Sequence, residues 1–315
     1  MEKKKMSKKK KWTISILSIL GLFILGTGGY AFYLYNQVEN TVESIHQPIE
    51  REKSEKRVEV VEFKEQDPIS VLLMGVDERE GDSGRSDTMI VLTVNPTDKS
   101  TKMVSIPRDT RTEIVGKGFE DKINHAYAFG GPEMAMNTVE NFLDIPIDYF
   151  IQVNMESFKG IVDAVGGVNV SNTFAFEYGG YTFNEGSLTL DGDEALAFSR
   201  MRYEDPRGDF GRQERQRQII KAVIDKGASF SSLTKFDDIM AIIGENLKTN
   251  MTFDEMIDIQ KNYKDARFNL EQTQIKGSGT KIDGIYYYIV SDDERTALSA
   301  KLKEHLQMSE NVSKR

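Results

Sequence analysis

Residues Trp12 to Tyr35, WTISILSILGLFILGTGGYAFYLY, carry no charged side chain, and they follow a tail, MEKKKMSKKKK, with seven lysines and one glutamate. No other feature restricts more tightly what the chain can fold into. As a helix, the 24 residues extend about 36 Å at roughly 1.5 Å per residue. That crosses a hydrocarbon core of about 30 Å with some tilt. Trp12 at one end, and Tyr30, Tyr33 and Tyr35 at the other, suit aromatic belts at two membrane interfaces. The apolar stretch is longer than that of a cleaved signal peptide and no A-x-A site follows it, so a retained single-pass anchor is expected. The lysines hold the N-terminus in the cytoplasm and leave the rest of the chain outside, a type II topology.

The chain has a formal net charge of -9 while its lysine tail is +6, so the part beyond the tail carries about -15. Such an acidic exterior opposes nucleic acid as a partner. The absence of cysteine excludes a disulfide scaffold, a thiol nucleophile and a Cys-ligated metal. The three histidines, at 46, 125 and 305, are too scattered for a His-rich zinc site. No G-x-S-x-G elbow, Walker A loop or H-E-x-x-H helix is present.

Five regions follow from composition: a cytoplasmic tail (1–11), the anchor (12–35), a polar, charge-mixed stalk or partly helical spacer (36–66), a globular domain (67–308) and a short tail (309–315). Within the domain, apolar runs at 69–74, 88–94 and 102–106 read as buried strands. Asn95-Pro-Thr-Asp98 joins the last two as a hairpin. A helix is expected from Pro132 to Leu143, a strand at 149–153, a helix at 158–165, and strand and hairpin sequence over 168–189. Helices are expected at 191–202, 209–226, 233–247 and 253–263, closing strands at 268–275 and 285–290, and a last helix capped by Ser291-Asp-Asp-Glu. Interleaved strands and helices make the class α/β, a sheet covered by helices on both faces.

Four constellations could carry chemistry. Asp77 sits just past the first strand and Asp87 at the start of the second. If those strands are neighbours, the two carboxylates and a substrate phosphate suit Mg²⁺, a hard ion that takes oxygen ligands; turn and cap hydrogen bonds are the alternative. Arg108, after the strand ending at Ile106, can reach the same edge or lie in an exposed turn. His125 reads as a loop histidine satisfied by its neighbours, with a general base as the other reading. Finally, SRMRYEDPRGDFGRQERQRQ, 199–218, holds six arginines and no lysine. Arg offers a planar fork for phosphate that Lys does not. Arg212 and Gln216 share a helix face near the helix N-terminus, where anions are favoured. Arg215 and Arg217 point elsewhere, one of them to the surface. On the stretch alone a solvated, salt-bridged helix face reads equally well; together these features fit an arginine-built phosphate site with a divalent cation better than a chance accumulation.

The ordered motifs V-L-L-M-G-V-D (71–77), S-G-R-S-D-T-M (83–89), S-I-P-R-D-T (105–110), K-I-N-H-A-Y (122–127), G-G-V-x-V (166–170), L-x-G-x-x-A-L-A-F-S-R-M-R (190–202) and D-F-G-R-Q-x-R-Q-R-Q (209–218) resemble the LytR–CpsA–Psr family of membrane-anchored cell-wall ligases. The match runs from about Ile69 to Lys226. The resemblance implies an α-β-α fold about a central mixed sheet, preceded by one transmembrane helix. It implies transfer of an anionic glycopolymer, wall teichoic acid first, from undecaprenyl pyrophosphate to the 6-hydroxyl of muramic acid in peptidoglycan. It implies that Asp77 and Asp87 hold Mg²⁺, that Arg85, Arg108, Arg200, Arg202, Arg212 and Gln216 hold the pyrophosphate, and that Asp209 serves acid/base or positioning work. It places the domain outside the cell membrane of a Gram-positive-type envelope. A lipid-linked pyrophosphate hydrolase and a membrane-bound transcription attenuator are the rival readings.

Overall fold

The computed structural model describes residues 8–76, 84–226 and 236–308. In chain order, a long helix α1 (Lys8–Ile45) precedes strands β1 (Ile69–Val76), β2 (Ser86–Asn95), β3 (Ser100–Ile106), β4 (Arg111–Glu113) and β5 (Glu120–Lys122). Helix α2 (His125–Leu143), strand β6 (Tyr149–Val153) and helix α3 (Met155–Ala164) come next. Strands β7 (Val168–Asn172), β8 (Phe176–Tyr178), β9 (Tyr181–Phe183) and β10 (Gly186–Leu190) lead to α4 (Gly192–Arg200) and α5 (Asp209–Lys226). After α6 (Phe236–Asn246), β11 (Leu247–Thr249) and α7 (Phe253–Asn262), the strands β12 (Leu270–Gln274), β13 (Ser278–Ile282) and β14 (Ile285–Ile289) precede α8 (Asp292–His305).

The main sheet is mixed, in the order β11-β6-β1-β2-β3-β12. β1 is antiparallel to β2 and parallel to β6, and β3 is antiparallel to β2 and parallel to β12. Side chains alternate across it, as the period of a strand requires. Leu72, Met74, Met89, Val91 and Val104 turn to one face and pack with Met136, Val139 and Leu143 of α2 and Leu298 and Leu302 of α8. Val71, Ile90, Leu92 and Met103 turn to the other and meet Ile220 and Ile224 of α5 and Met256 and Ile259 of α7. Helices therefore cover both faces, as the interleaved pattern predicts. A separate apolar cluster, with Phe176, Phe183 and Phe198 in ring contact, joins β7–β10 to α4 and to Ile219 of α5.

The expected hairpin at 95–98 is present, and Ser291 accepts from the Glu294 N–H at the start of α8. Three elements differ from expectation. α2 begins at His125 rather than Pro132, because the helix runs through non-helical Gly130 and Gly131 (φ 65°) and restarts at Pro132. α4 stops at Arg200, so Arg202 lies in the following loop. β14 pairs with β13 in a small hairpin and meets the rest of the fold through the Thr110–Tyr288 bridge, not as a strand of the main sheet. Gly227, expected to close α5, and the first residues of the helix expected at 233–247 lie outside the described residues.

The expected anchor, 12–35, falls within α1. Among the described residues no helix is long and apolar enough to cross a membrane; the side chains at 13–19 and 22, inside the expected span, are not among those described. The stretch 36–66, read from sequence as a spacer, lies against the domain. Val42 and Ile45 are buried. Arg51 donates to Glu140 at 2.6 Å, and Arg57 grips both Asp148 oxygens at 2.7 and 2.6 Å. Opposite charges lying beyond the stretch itself turn a polar segment into a bound strap.

Candidate active site

Met89 of β2 faces Ile106 of β3, so the start of one strand and the end of the other share a sheet edge. Asp87 and Arg108 extend from that edge, and Arg108 Nη1 donates to Asp87 Oδ1 at 2.7 Å. Burial disfavours the Arg108 cation, but Asp87, with Asp109 and Asp209 behind it, outweighs burial and raises its pKa. β1 and β2 are neighbours, with Val76 opposite Ser86, which meets the condition for Asp77 and Asp87 to converge; Asp77 itself lies outside the described residues.

The first turns of α5 close over this edge. Asp209 is the first residue of the helix, where a carboxylate is favoured by the free N–H groups and the dipole. Its Oδ2 accepts from Gln213 Nε2 at 2.9 Å. Its Oδ1 lies 2.7 Å from Arg212 Nη2 and 3.7 Å from Arg202 Nε. Arg212 has a lowered pKa: burial is the main cause and prevails over Asp209 and Asp87, whose attraction exceeds the repulsion from Arg108 and Arg202. Among the described residues, three guanidiniums, Arg108, Arg202 and Arg212, thus crowd Asp87 and Asp209, with Asp109 3.9 Å from Arg108 and held also by Lys122. Asp87, Arg108, Arg212, Gln213 and Gln216 line a narrow cleft between β2, β3 and α5. Arg212 Nε and Gln213 Oε1 are buried there without hydrogen-bond partners among the described residues. Such atoms are costly in a finished core and ordinary in a site that awaits a polar ligand.

The structure therefore brings together Asp87, Arg108, Arg202, Asp209, Arg212 and Gln216. Arg85, exposed ahead of β2, and Arg200, exposed at the end of α4, make no ion pair among the described residues. The expectation that Arg215 or Arg217 would be a surface residue is corrected: both are buried. Arg215 donates to Asp205 at 2.6 Å and to the carbonyls of Phe198 and Met201, under the Phe176 and Phe198 rings. Arg217 donates to Ser105 Oγ of β3 at 3.1 Å and pairs with Glu214. These two brace α5 rather than face the cleft. Gly211 is obligatory in the same brace, since a Cβ there would stand 1.8 Å from Asp205 Oδ2. Gln213 escaped the sequence reading; its spacing of four from Asp209 was the available signal.

Beside the cleft lies a second polar group. The Asn124 N–H donates to the Arg108 carbonyl at 3.3 Å. Lys122 Nζ donates to Asp109 at 2.7 Å, and His125 Nδ1 meets Asp121 Oδ2 at 2.7 Å. His125 is thus the first residue of a helix rather than a loop histidine. Among the described residues no three His, Asp or Glu side chains gather as a metal site. Mg²⁺ needs fewer, since it keeps waters and binds substrate phosphate. Asp87 suits one of its ligand positions, being partly exposed with only Oδ1 engaged by Arg108.

An α/β fold with an arginine cluster at a sheet edge, under a helix N-terminus, belongs to the class of α/β proteins whose geometry suits an anion. Within that class, residues 32–304 match the LytR_cpsA_psr family. The chain is 56% identical over 307 residues to the Bacillus subtilis polyisoprenyl-teichoic acid–peptidoglycan teichoic acid transferase TagU, covering 98% of this chain and 100% of that protein. The crystal structure of B. subtilis TagU superposes with a TM-score of 0.62 at 55% identity, covering 76% of this chain and 97% of that one. The family protein TagT with bound octaprenyl pyrophosphate lipid superposes with a TM-score of 0.67 at 29% identity, covering 83% and 100%. The chain belongs to the LytR–CpsA–Psr family, and it is a transferase.

Proposed function

We propose that the protein transfers an anionic glycopolymer, wall teichoic acid first, from an undecaprenyl-pyrophosphate carrier to the muramic acid 6-hydroxyl of peptidoglycan. It does so outside a Gram-positive-type cell membrane in which residues 12–35 anchor it. The observation that carries this reading is the convergence of Arg108, Arg202 and Arg212 at the N-terminus of α5, beside a cleft with unpartnered polar atoms. In this reading the phosphates displace Asp209 from Arg202 and Arg212 and complete the unpartnered atoms of the cleft. Arg85 and Arg200, exposed nearby in sequence, add donors as the ligand arrives. Phosphoryl transfer is mostly positioning and neutralisation of charge spreading over the phosphoryl oxygens, which fixed guanidiniums supply. Asp77 and Asp87 would hold Mg²⁺, which when bound neutralises phosphate charge in the same way. Asp209, released from its arginines, stays beside the phosphates for acid/base or positioning work.

The test is to offer the purified chain a lipid-linked polymer analogue with and without peptidoglycan oligomers, and with and without Mg²⁺. Polymer joined to peptidoglycan, dependent on Mg²⁺ and lost in Asp77→Ala and Asp87→Ala, is the expected result. Release of free polymer at the same rate whether or not peptidoglycan is present would replace transfer with hydrolysis. Unchanged metal dependence in both variants would move the metal elsewhere.

A further inference from the structure

The polar group beside the cleft has the parts of an acceptor site. Asp121 holds His125 by Nδ1 at 2.7 Å and also takes a longer contact from the Tyr287 hydroxyl at 3.4 Å. Burial raises the Asp121 pKa, but the bonds from His125 and the Lys122 N–H outweigh it and keep the carboxyl below its usual range. The imidazole is therefore oriented through one nitrogen. Its Nε2 meets no partner among the described residues, and its side chain is 23% exposed. This is how proteins present a histidine that exchanges protons.

A second observation is independent of the first. Phe129, one turn along α2 from His125, is 42% exposed, and Phe119, on the loop before β5, is 47% exposed. Their rings stand edge to face at 5.8 Å, and the His125 ring stands against Phe129 at 6.1 Å. Contiguous exposed apolar surface rimmed by polar groups marks an interaction site more often than a scattered side chain does. Lys117 Nζ sits 5.7 Å over the Phe129 ring and meets no carboxylate among the described residues. An apolar ring face, a cation and a basic nitrogen, side by side, match a glycan strand that offers a sugar C–H face, a stem-peptide carboxylate and a sugar hydroxyl.

We propose that Phe119, Phe129 and Lys117 bind the acceptor glycan strand of peptidoglycan, and that His125 receives the proton of its attacking hydroxyl. The inference rests on the function proposed above. Asn124, adjoining His125, is bonded to the backbone of Arg108, so the acceptor enters beside the phosphates. The hydroxyl oxygen forms the new P–O bond and its proton passes to Nε2. The anhydride P–O bond breaks, and prenyl phosphate leaves with the electron pair. Nε2 then releases the proton to solvent. Asp121 acts through His125 and is a positioning residue.

The test uses the full chain in detergent, with soluble, uncross-linked peptidoglycan glycan oligomers as the probe, and compares calorimetric binding with turnover. Phe129→Ala should weaken glycan binding about tenfold, equivalent to roughly 1.4 kcal/mol, and leave the affinity for a prenyl pyrophosphate unchanged. His125→Ala should lower kcat for transfer with little change in either KM, and added imidazole should restore part of it. Lys117→Gln should weaken binding of carboxylate-bearing glycan more than of its carboxyl-reduced form. Equal glycan affinity in wild type and Phe129→Ala, no glycan binding at all, or loss of prenyl pyrophosphate affinity in either variant would overturn the proposal. Glycan binding that depends on Phe129 in a chain that transfers nothing would instead sink the transferase mechanism and leave the glycan site standing.

Discussion

Arg215 and Asp205 form an ion pair of 2.6 Å in which the two side chains are 4% and 0% exposed. Asp205 belongs to the loop between α4 and α5, and Arg215 also donates to the carbonyls of Phe198 and Met201 on either side of the end of α4. One guanidinium thus ties together the loop that presents Arg202 and the helix that presents Asp209 and Arg212. Burial lowers the Arg215 pKa against the pull of Asp205, so the pair survives through its geometry and its carbonyl contacts. Removing Arg215 leaves the fully buried Asp205 with only the half-exposed Arg207 as a cation, at 3.3 Å, and uncaps the two carbonyls. Arg215→Met is expected to cost about 3–5 kcal/mol, read as a shift in urea midpoint. A loss below about 1 kcal/mol, the range of a surface pair, would show that the loop is held otherwise.

The arginines that face the cleft should behave differently. Arg202→Lys and Arg212→Lys keep charge and lose the fork, so affinity for a prenyl pyrophosphate should fall about ten- to a hundredfold, at roughly 1.5–3 kcal/mol per charge-assisted contact. Arg217 cannot serve as the silent control, being buried against Ser105 and Glu214. Arg295 of α8, whose side chain is 42% exposed and pairs with the exposed Asp292, takes that part. Equal tolerance of Lys at 202, 212 and 295 would reduce the cluster to a solvated face.

Asp209 occupies the position an incoming anion would take between Arg202 and Arg212. Asp209→Asn removes that internal competitor. The variant should bind inorganic pyrophosphate several-fold more tightly, by calorimetry at low salt, while transferring more slowly. Weaker binding would mean that the carboxylate orders the arginines rather than competing for them.

Stability should fall in acid through one buried histidine. His305 is wedged between Thr93 Oγ1 at 2.7 Å and Ser100 Oγ at 2.9 Å, and burial, helped by Lys102, lowers its pKa to about 4. The unfolded chain takes up this proton near pH 6.5 and the folded one only near 4. The contribution of His305 is therefore whole above about pH 6.5 and is lost as pH falls from there towards 4, a total of about 3 kcal/mol. The stability difference between wild type and His305→Gln, from urea midpoints, should stay constant above pH 6.5 and shift against wild type by about 3 kcal/mol between pH 6.5 and 4. A constant offset between them would exclude this histidine as the cause.

What the sequence disclosed and what it hid divide by range. Strands β1 to β3 and their hairpin were legible because alternation and a turn are local signals. Arg108, Arg212 and Gln216 were legible as a group because a strand end and a helix face fix their direction. The burial of Arg217 was not, since its partner Ser105 lies 112 residues away on β3. Arg51 and Arg57 were equally opaque, their carboxylates being 89 and 91 residues on. Gly130-Gly131-Pro132 was read as the beginning of a helix; a glycine at positive φ followed by proline also allows a helix to bend and resume, and a single sequence does not separate the two.

α1 runs without a break from Lys8 to Ile45, and its lower end is seated on α6, with Tyr35 edge-on to Phe253 of α7 at 5.3 Å and Val38 packed by Met240 and Ile243. A chain built this way has no leash. From Tyr35 to Ile45 the helix spans about 15 Å; were residues 12–35 to lie in a bilayer, as proposed above, that rigid length would hold the domain at a set distance from it. An enzyme so held would sample a thin layer parallel to the membrane rather than a hemisphere around its anchor, and would meet a lipid-linked donor by diffusion within the plane.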